Sequence, residues 1–192
     1  MAEVFLISDT HFGHKNILKF QVPCDYCTGT GWNCACGSGS MPMRPFSTVE
    51  EMDEFMVQEW NKVVRPQDKV YHIGDVAMHK SHIPTVGRCN GHKRLVRGNH
   101  DDWEMKYYLP FFDEIYGTRK LDALLLSHIP LHPESIAPHI TNVHGHVHSN
   151  PTPYLTHKYL NVCVEVINYR PITLSEAKER IRKNAQAYAP VV

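Results

Sequence analysis

The chain has 192 residues, and its 20 Lys plus Arg balance 20 Asp plus Glu, so the formal net charge is zero. That length fits one domain with a sizeable core, and the neutral balance gives no global basic field of the kind that draws nucleic acid or an anionic membrane. No apolar run approaches the ~20 residues of a membrane span, and the opening MAEVFLIS has neither a basic n-region nor a small-residue cleavage site; a cytoplasmic location away from membranes is expected.

In chain order, residues 3–8 (EVFLIS) predict a buried strand that stops at Asp9. A polar loop with His11, Gly13 and His14 follows, then a cysteine-rich segment closed by Pro42 and Pro45. Ser47 with Glu50 reads as a capping box opening a helix whose apolar face is Val49, Met52, Met56, Trp60 and Val63. Residues 69–73 predict a strand ending at Gly74-Asp75, 81–88 a short helix, and 93–97 a strand ending at Gly98-Asn99-His100-Asp101. The run 121–126 (LDALLL) predicts a buried strand before Ser127-His128, and a short segment at 142–143 leads into Gly145-His146-Val147-His148. Residues 159–167 (YLNVCVEVI) predict a strand, 171–174 a sheet extension, and Ser175 to Tyr188 a final amphipathic helix. Strands alternating with helices imply an α/β fold with largely parallel strands. In such folds ligands gather at the carboxyl ends of strands, and Asp9, Asp75, Asn99 and His128 each fall just past a predicted strand end.

Fourteen histidines are the compositional anomaly, imidazole being the commonest transition-metal ligand and the usual acid or base near neutral pH. Asp9 and His11 are two apart, a spacing that puts both side chains on one side of an extended segment. Asp75 offers two oxygens after a glycine turn, Asn99 a neutral oxygen, His128 an imidazole at the edge of an apolar run, and His146 with His148 two more at i,i+2. Each signal alone is weak. Together they form a mixed nitrogen and oxygen set suited to two divalent transition metals.

The ordered series DTH at 9, GD at 74, GNHD at 98, His128 and GHVH at 145 resembles the calcineurin-like metallophosphoesterase superfamily, over residues 9 to 148. The text around it, ISDTHFGHKNI and NVCVEVINYRPITL, is similar to the small bacterial and phage-encoded members. The resemblance implies a sandwich of two β-sheets flanked by helices. It also implies a first metal held by Asp9, His11 and His148, a second held by Asn99, His128 and His146, and Asp75 bridging them. The active-site metals would be drawn from Mn, Fe, Zn and Ni. Catalysis would fall to Asp75, Asn99 and His100: a hydroxide held between the cations attacks phosphorus, and His100 protonates the leaving oxygen. His14, three residues beyond His11, is a candidate contact to the substrate phosphate, or equally a peripheral residue. His72 and His144 read as packing residues beside ligands, and His79 and His82 as surface residues. The protein-phosphatase form of this pattern, GD-x-x-D/N-R-G, is not matched by Gly74-Asp75-Val76-Ala77-Met78-His79-Lys80. A phosphodiesterase acting on small phosphodiesters or cyclic nucleotides is therefore expected, with nuclease or phosphomonoesterase action on the same site as the alternative. Nucleic acid would enter only as a substrate, through a basic stretch such as 88–97, which reads equally as a solvated rim. A metal-free interaction scaffold of this fold is the competing class, opposed by the full set of seven ligands. A zinc-dependent nucleic-acid reader is opposed by the neutral charge.

Cys24-x-x-Cys27 and Cys34-x-Cys36 supply four thiolates within the segment 24–39. Four thiolates make a closed structural zinc site with no open position for chemistry, and clustered cysteines in a reducing compartment read as metal ligands before disulfides. The expected organisation is one domain over 1–192 with residues 21–43 inserted as a zinc-stapled flap at the rim of the site. Cys89 and Cys163 read as buried small hydrophobes.

Overall fold

The computed structural model describes residues 2–23, 40–152, 154 and 157–187. The fold is mixed α/β. A five-stranded sheet has the order β11-β1-β4-β5-β6. It is built from β1 (Val4–Ile7), β4 (Lys69–His72), β5 (His92–Val96), β6 (Glu114–Tyr116) and β11 (Ile172–Thr173). All its pairs are parallel except β11 against β1. A four-stranded sheet, β10-β9-β8-β7, is built from β7 (Thr118–Leu121), β8 (Leu124–Ser127), β9 (Thr141–His144) and β10 (Tyr159–Asn161). Only its β7–β8 pair is antiparallel. A third, two-stranded sheet pairs β2 (Gln21–Pro23) with β3 (Ser40–Pro42). The ends of the cysteine-rich segment thus run side by side, while Cys24, Cys27, Cys34 and Cys36 lie outside the described residues.

The central strands are apolar along their length because both faces are covered: Phe5, Leu6 and Ile7 of β1 and Val70 and Tyr71 of β4 are buried, and they share one continuous core with Leu124 and Leu126 of β8, Val143 of β9 and Leu160 of β10. Helix α1 (Val49–Val63) lays Val49, Met52, Met56, Val57 and Trp60 against that core. Its cap is one residue later than Ser47: Thr48 Oγ1 accepts the Glu51 N–H at 3.1 Å, and Glu51 Oε2 accepts the Ser47 N–H at 2.9 Å. The stretch STVEE satisfies the capping-box spacing in two registers, and the structure takes the second. Helix α2 (Leu174–Ala187) packs on β1, β10 and β11. No described helix is long and apolar enough to cross a membrane.

Two sequence expectations need correction. The run LDALLL is a hairpin corner, not one strand: Leu121 pairs with Leu124 across a tight turn in which Asp122 takes a φ of 54°. YLNVCVEVI stops being a strand after Asn161. The Asn161 side-chain oxygen accepts the Cys163 N–H at 2.9 Å, a local turn that competes with the ladder, and Cys163 forms only an isolated bridge to Ser8. That bridge has a structural use. Ser8 N–H donates to Val162 O at 2.9 Å and Val164 N–H to Ser8 O at 3.1 Å, which draws the carboxyl ends of the two large sheets together.

Candidate metal centre at the joined strand ends

The loops after β1, β4, β5, β8 and β9 converge there. Main-chain bonds carry the parallel order past the strands: Asp9 N–H to Gly74 O, His11 N–H to Asp75 O and Gly145 N–H to His128 O, at 2.9–3.0 Å. The loops are pressed together so closely that side chains are excluded. A Cβ on Gly98 would lie 2.1 Å from Asp75 Oδ1, and one on Gly145 would lie 2.2 Å from Asp9 Oδ2. The backbone is strained in the same place. Asp9, His11, Asp75, His146 and His148 all have positive φ, from 48° to 71°, a region that costs a non-glycine residue about 1–3 kcal/mol and that clusters at functional sites. The turns aim the five side chains inward.

Two groups of potential ligands result: Asp9, His11 and His148, and Asp75, His128 and His146. Within each group one ligand atom per residue lies within 4.8 Å of the others. Asn99 joins the second group, with Oδ1 at 3.0 Å from His128 Nε2 and 2.8 Å from His146 Nδ1. Asp75 stands between the groups: its Oδ2 is 3.4 Å from His11 Nε2 and 3.3 Å from His128 Nε2, while its Oδ1 accepts the His100 N–H at 2.9 Å. All seven candidate residues are thus brought together at the joined strand ends.

The donor atoms suit cations. Asp9 Oδ2 is saturated, by the His146 N–H at 2.9 Å, the Cys163 thiol at 3.2 Å and Ser8 Oγ at 2.5 Å. Asp9 Oδ1 and both ring nitrogens of His11 are buried without any hydrogen-bond partner. Buried polar atoms are rarely left so, and two of them, Asp9 Oδ1 and His11 Nε2, lie 3.7 Å apart within the first group. Burial would raise the Asp9 carboxyl, but the nearby His11, His128 and His148 outweigh it and hold the group far below the usual carboxylate range. Asp75 is likewise held low, burial being outweighed mainly by His128. His128 itself, despite burial, is pushed up to about 9 by Asp75 and Asp9. Both carboxylates are thus ionised, and His128 carries a proton that a bound cation would have to displace.

Sequence reasoning missed the residues that support the ligands. His128 Nδ1 lies 2.8 Å from Ile73 O, leaving Nε2 for the centre. His148 Nδ1 lies 3.0 Å from Glu165 Oε1, and Glu165 is held by Arg44. Asp101 accepts the N–H groups of Asp75, Val76 and Gly98 at 2.8–3.0 Å, tying the loops after β4 and β5. The GNHD motif contained Asp101, but no local pattern flagged Arg44 or Glu165. Cys163 is buried, yet it is a donor to Asp9 rather than only a hydrophobe.

Among the remaining histidines, the His100 ring is half-buried, with its centroid 5.5 Å from that of His11. His14 lies at the same 5.5 Å from His11, with Phe20 edge-on to it. Burial, then the neighbouring His11, pushes His14 down to about 4, so near neutral pH it is an uncharged imidazole. His72 is buried against Thr10 Oγ1 at 2.9 Å, and His144 against Gly145 O and Thr152 Oγ1 at 2.9 and 3.1 Å. His79 is exposed. His82 is half-buried, with its ring beside Gly13, where a Cβ would come within 2.1 Å of it.

No protein-family profile matches the chain. It is 34% identical over 192 residues to the uncharacterized protein MJ1445 of Methanocaldococcus jannaschii, covering 95% of this chain and 93% of that one. It is 28% identical over 106 residues to the Gene 66 protein of Mycobacterium phage L5, covering 53% of this chain and 41% of that protein. The crystal structure of AQ665 from Aquifex aeolicus, described as a protein of unknown function, superimposes with a TM-score of 0.66 at 25% identity, over 93% of this chain and 99% of that one. With identity at that level along nearly its whole length, the chain belongs to the family of the M. jannaschii protein MJ1445.

Proposed function

We propose that this protein is a dinuclear-metal phosphoester hydrolase of the calcineurin-like metallophosphoesterase type, with that superfamily's two-sheet sandwich, and that it acts as a phosphodiesterase on small phosphodiesters or cyclic nucleotides. The observation that carries the reading is Asp75 Oδ2, set between two nitrogen and oxygen groups and within 3.4 Å of a histidine from each. Asp9, His11 and His148 would hold one divalent cation, Asn99, His128 and His146 a second, and Asp75 both. When bound, such a pair supplies charge neutralisation for an anionic phosphoester and acidifies water to near neutral pH.

The chain's own groups do the rest. The saturated oxygen of Asp9 and the Ile73 and Glu165 contacts of His128 and His148 fix the ligand atoms before substrate arrives, so little reorganisation is needed at the reacting centre. His100 hangs its main-chain N–H on Asp75, and its half-buried ring is free to give a proton to the leaving oxygen. His14, neutral near pH 7, offers the phosphate a hydrogen bond rather than a charge. The diester preference rests on the Gly74–Lys80 sequence, which lacks the arginine of the protein-phosphatase pattern. A hydrolysis panel with added Mn²⁺ tests the reading, comparing an aryl phosphodiester, 2′,3′- and 3′,5′-cyclic nucleotides, single-stranded DNA and a phosphomonoester. Turnover of small diesters is expected. Activity on the monoester alone would overturn the phosphodiesterase assignment.

A further inference from the structure

Among the described residues Arg44 is the largest charged side chain buried in the core, and nothing in the proposed chemistry uses it. It leaves the chain two residues after β3, yet its guanidinium lies under the loop after β1. Nη1 donates to Thr10 O at 2.8 Å and Nη2 to Asp9 O at 2.5 Å. Nε and Nη2 both reach Glu165 Oε1 at 2.7 Å. That same oxygen lies 3.0 Å from His148 Nδ1. The guanidinium is completely buried and the carboxylate is 3% exposed.

We infer that the buried Arg44–Glu165 pair is a positioning brace that assembles the first metal group, Asp9, His11 and His148, from two distant parts of the chain. The inference rests on the metal reading of the two groups. One rigid fork holds the main chain on both sides of Thr10, and so sets where Asp9 and His11 point. The carboxylate that balances the fork orients the third ligand, turning His148 so that Nε2 is presented to the ion and Nδ1–H is retained. A carboxylate behind a ligating imidazole also raises its basicity, and loss of such a partner typically costs ~10–100-fold in metal affinity. The second group has no comparable charged brace among the described residues. Its His128 leans on the Ile73 carbonyl, and its His146 is half-exposed. Placing two charges in the core is costly unless both are well bonded, so the pair is a poor device for stability alone and a good one for fixing geometry.

The test is Mn²⁺ titration of the metal-free full-length chain by calorimetry, Mn²⁺ being poorly held by thiolates. Glu165 Oε2 has no hydrogen-bond partner, so Glu165→Gln breaks no bond on that oxygen and removes the charge. Of the two binding steps expected in wild type, the one that survives Asn99→Ala belongs to the first group. Glu165→Gln is expected to weaken that step by ~10–100-fold and to leave the other within about threefold, with circular dichroism confirming the fold. Both steps retained, or both weakened equally, would overturn the brace and leave the metal reading standing. A wild-type chain that binds no Mn²⁺ would overturn the metal reading itself. Should the variant not fold, ¹¹³Cd–¹⁵N coupling in the wild-type chain answers the same question: coupling to His148 Nε2 with Nδ1–H retained supports the brace, and coupling to Nδ1 overturns it.

Discussion

The two ligand groups lie side by side and share Asp75, but they are held in different ways. The first is braced by a fully buried ion pair from outside its own loops, Arg44 and Glu165. The second has no such pair and is held through its main chain: the Asp101 carboxylate gathers three N–H groups, and one carbonyl lies under His128. The difference teaches that a symmetric list of ligands need not give symmetric sites. The braced group should keep its shape without an ion, while the main-chain group, more open to solvent at Asn99 and His146, should be the one that exchanges its ion and meets substrate.

The largest effect should come from Asp75, the element common to both groups. Asp75→Ala removes the oxygen between them, and diester hydrolysis should fall by about 10⁴-fold, or ~5.4 kcal/mol, with loss of one or both Mn²⁺ steps; near-normal turnover would sever the link between the groups. His100→Asn should come next, lowering turnover of an alkyl-leaving-group diester by ~10²–10³-fold while sparing a nitrophenyl diester, whose leaving group needs no proton. Equal losses on the two substrates would remove His100 from proton transfer.

A smaller effect sharpens the contrast between charged and main-chain support. Asp101→Asn cannot accept all three N–H groups, and one unsatisfied buried donor costs about 1–3 kcal/mol, with Tm falling by roughly 2–4 °C for each 1 kcal/mol in a chain of this size. The Mn²⁺ step of the second group should weaken more than that of the first. An unchanged Tm would mean that the N–H groups find other partners.

The smallest effect concerns Asp53, which accepts the Gly13 N–H at 2.9 Å just beyond the first group. Burial, partly offset by that N–H, pushes its carboxyl up from 3.8 to about 6. The folded state therefore binds the proton more tightly than the unfolded state, and Asp53's contribution to stability is greatest below pH 3.8 and declines as pH rises to about 6. Asp53→Asn mimics the protonated form. Its Tm advantage over wild type should grow between pH 4.5 and 6 and then level off at roughly 2–4 °C, a modest figure because the group is partly solvated. An advantage independent of pH would show that Asp53 does not titrate in this way.

The candidate ligand positions were legible in the sequence because they occupy short loops after apolar strands, where a motif and a strand end coincide. Their support was not. Arg44 and Glu165 are 121 residues apart, each looks like an ordinary charged residue in its own neighbourhood, and they meet only in the fold, where Arg44 bonds the loop after β1 and the bridge between Ser8 and Cys163 joins that loop to the segment of Glu165. The misread strands failed for local reasons. An apolar run without periodicity hides a hairpin at Asp122, and the signal that ends β10, an Asn able to bond two residues ahead, was present at Asn161 but outweighed by its apolar neighbours.

The central claim is that the joined strand ends form one dinuclear centre. Anomalous scattering from a crystal of the full chain soaked in Mn²⁺ tests it most directly. The account predicts two peaks, one bonded to Asp9, His11 and His148, the other to Asn99, His128 and His146, with Asp75 Oδ2 bonded to both. A single ion at full occupancy and saturating Mn²⁺, or two ions not joined by Asp75, would contradict it.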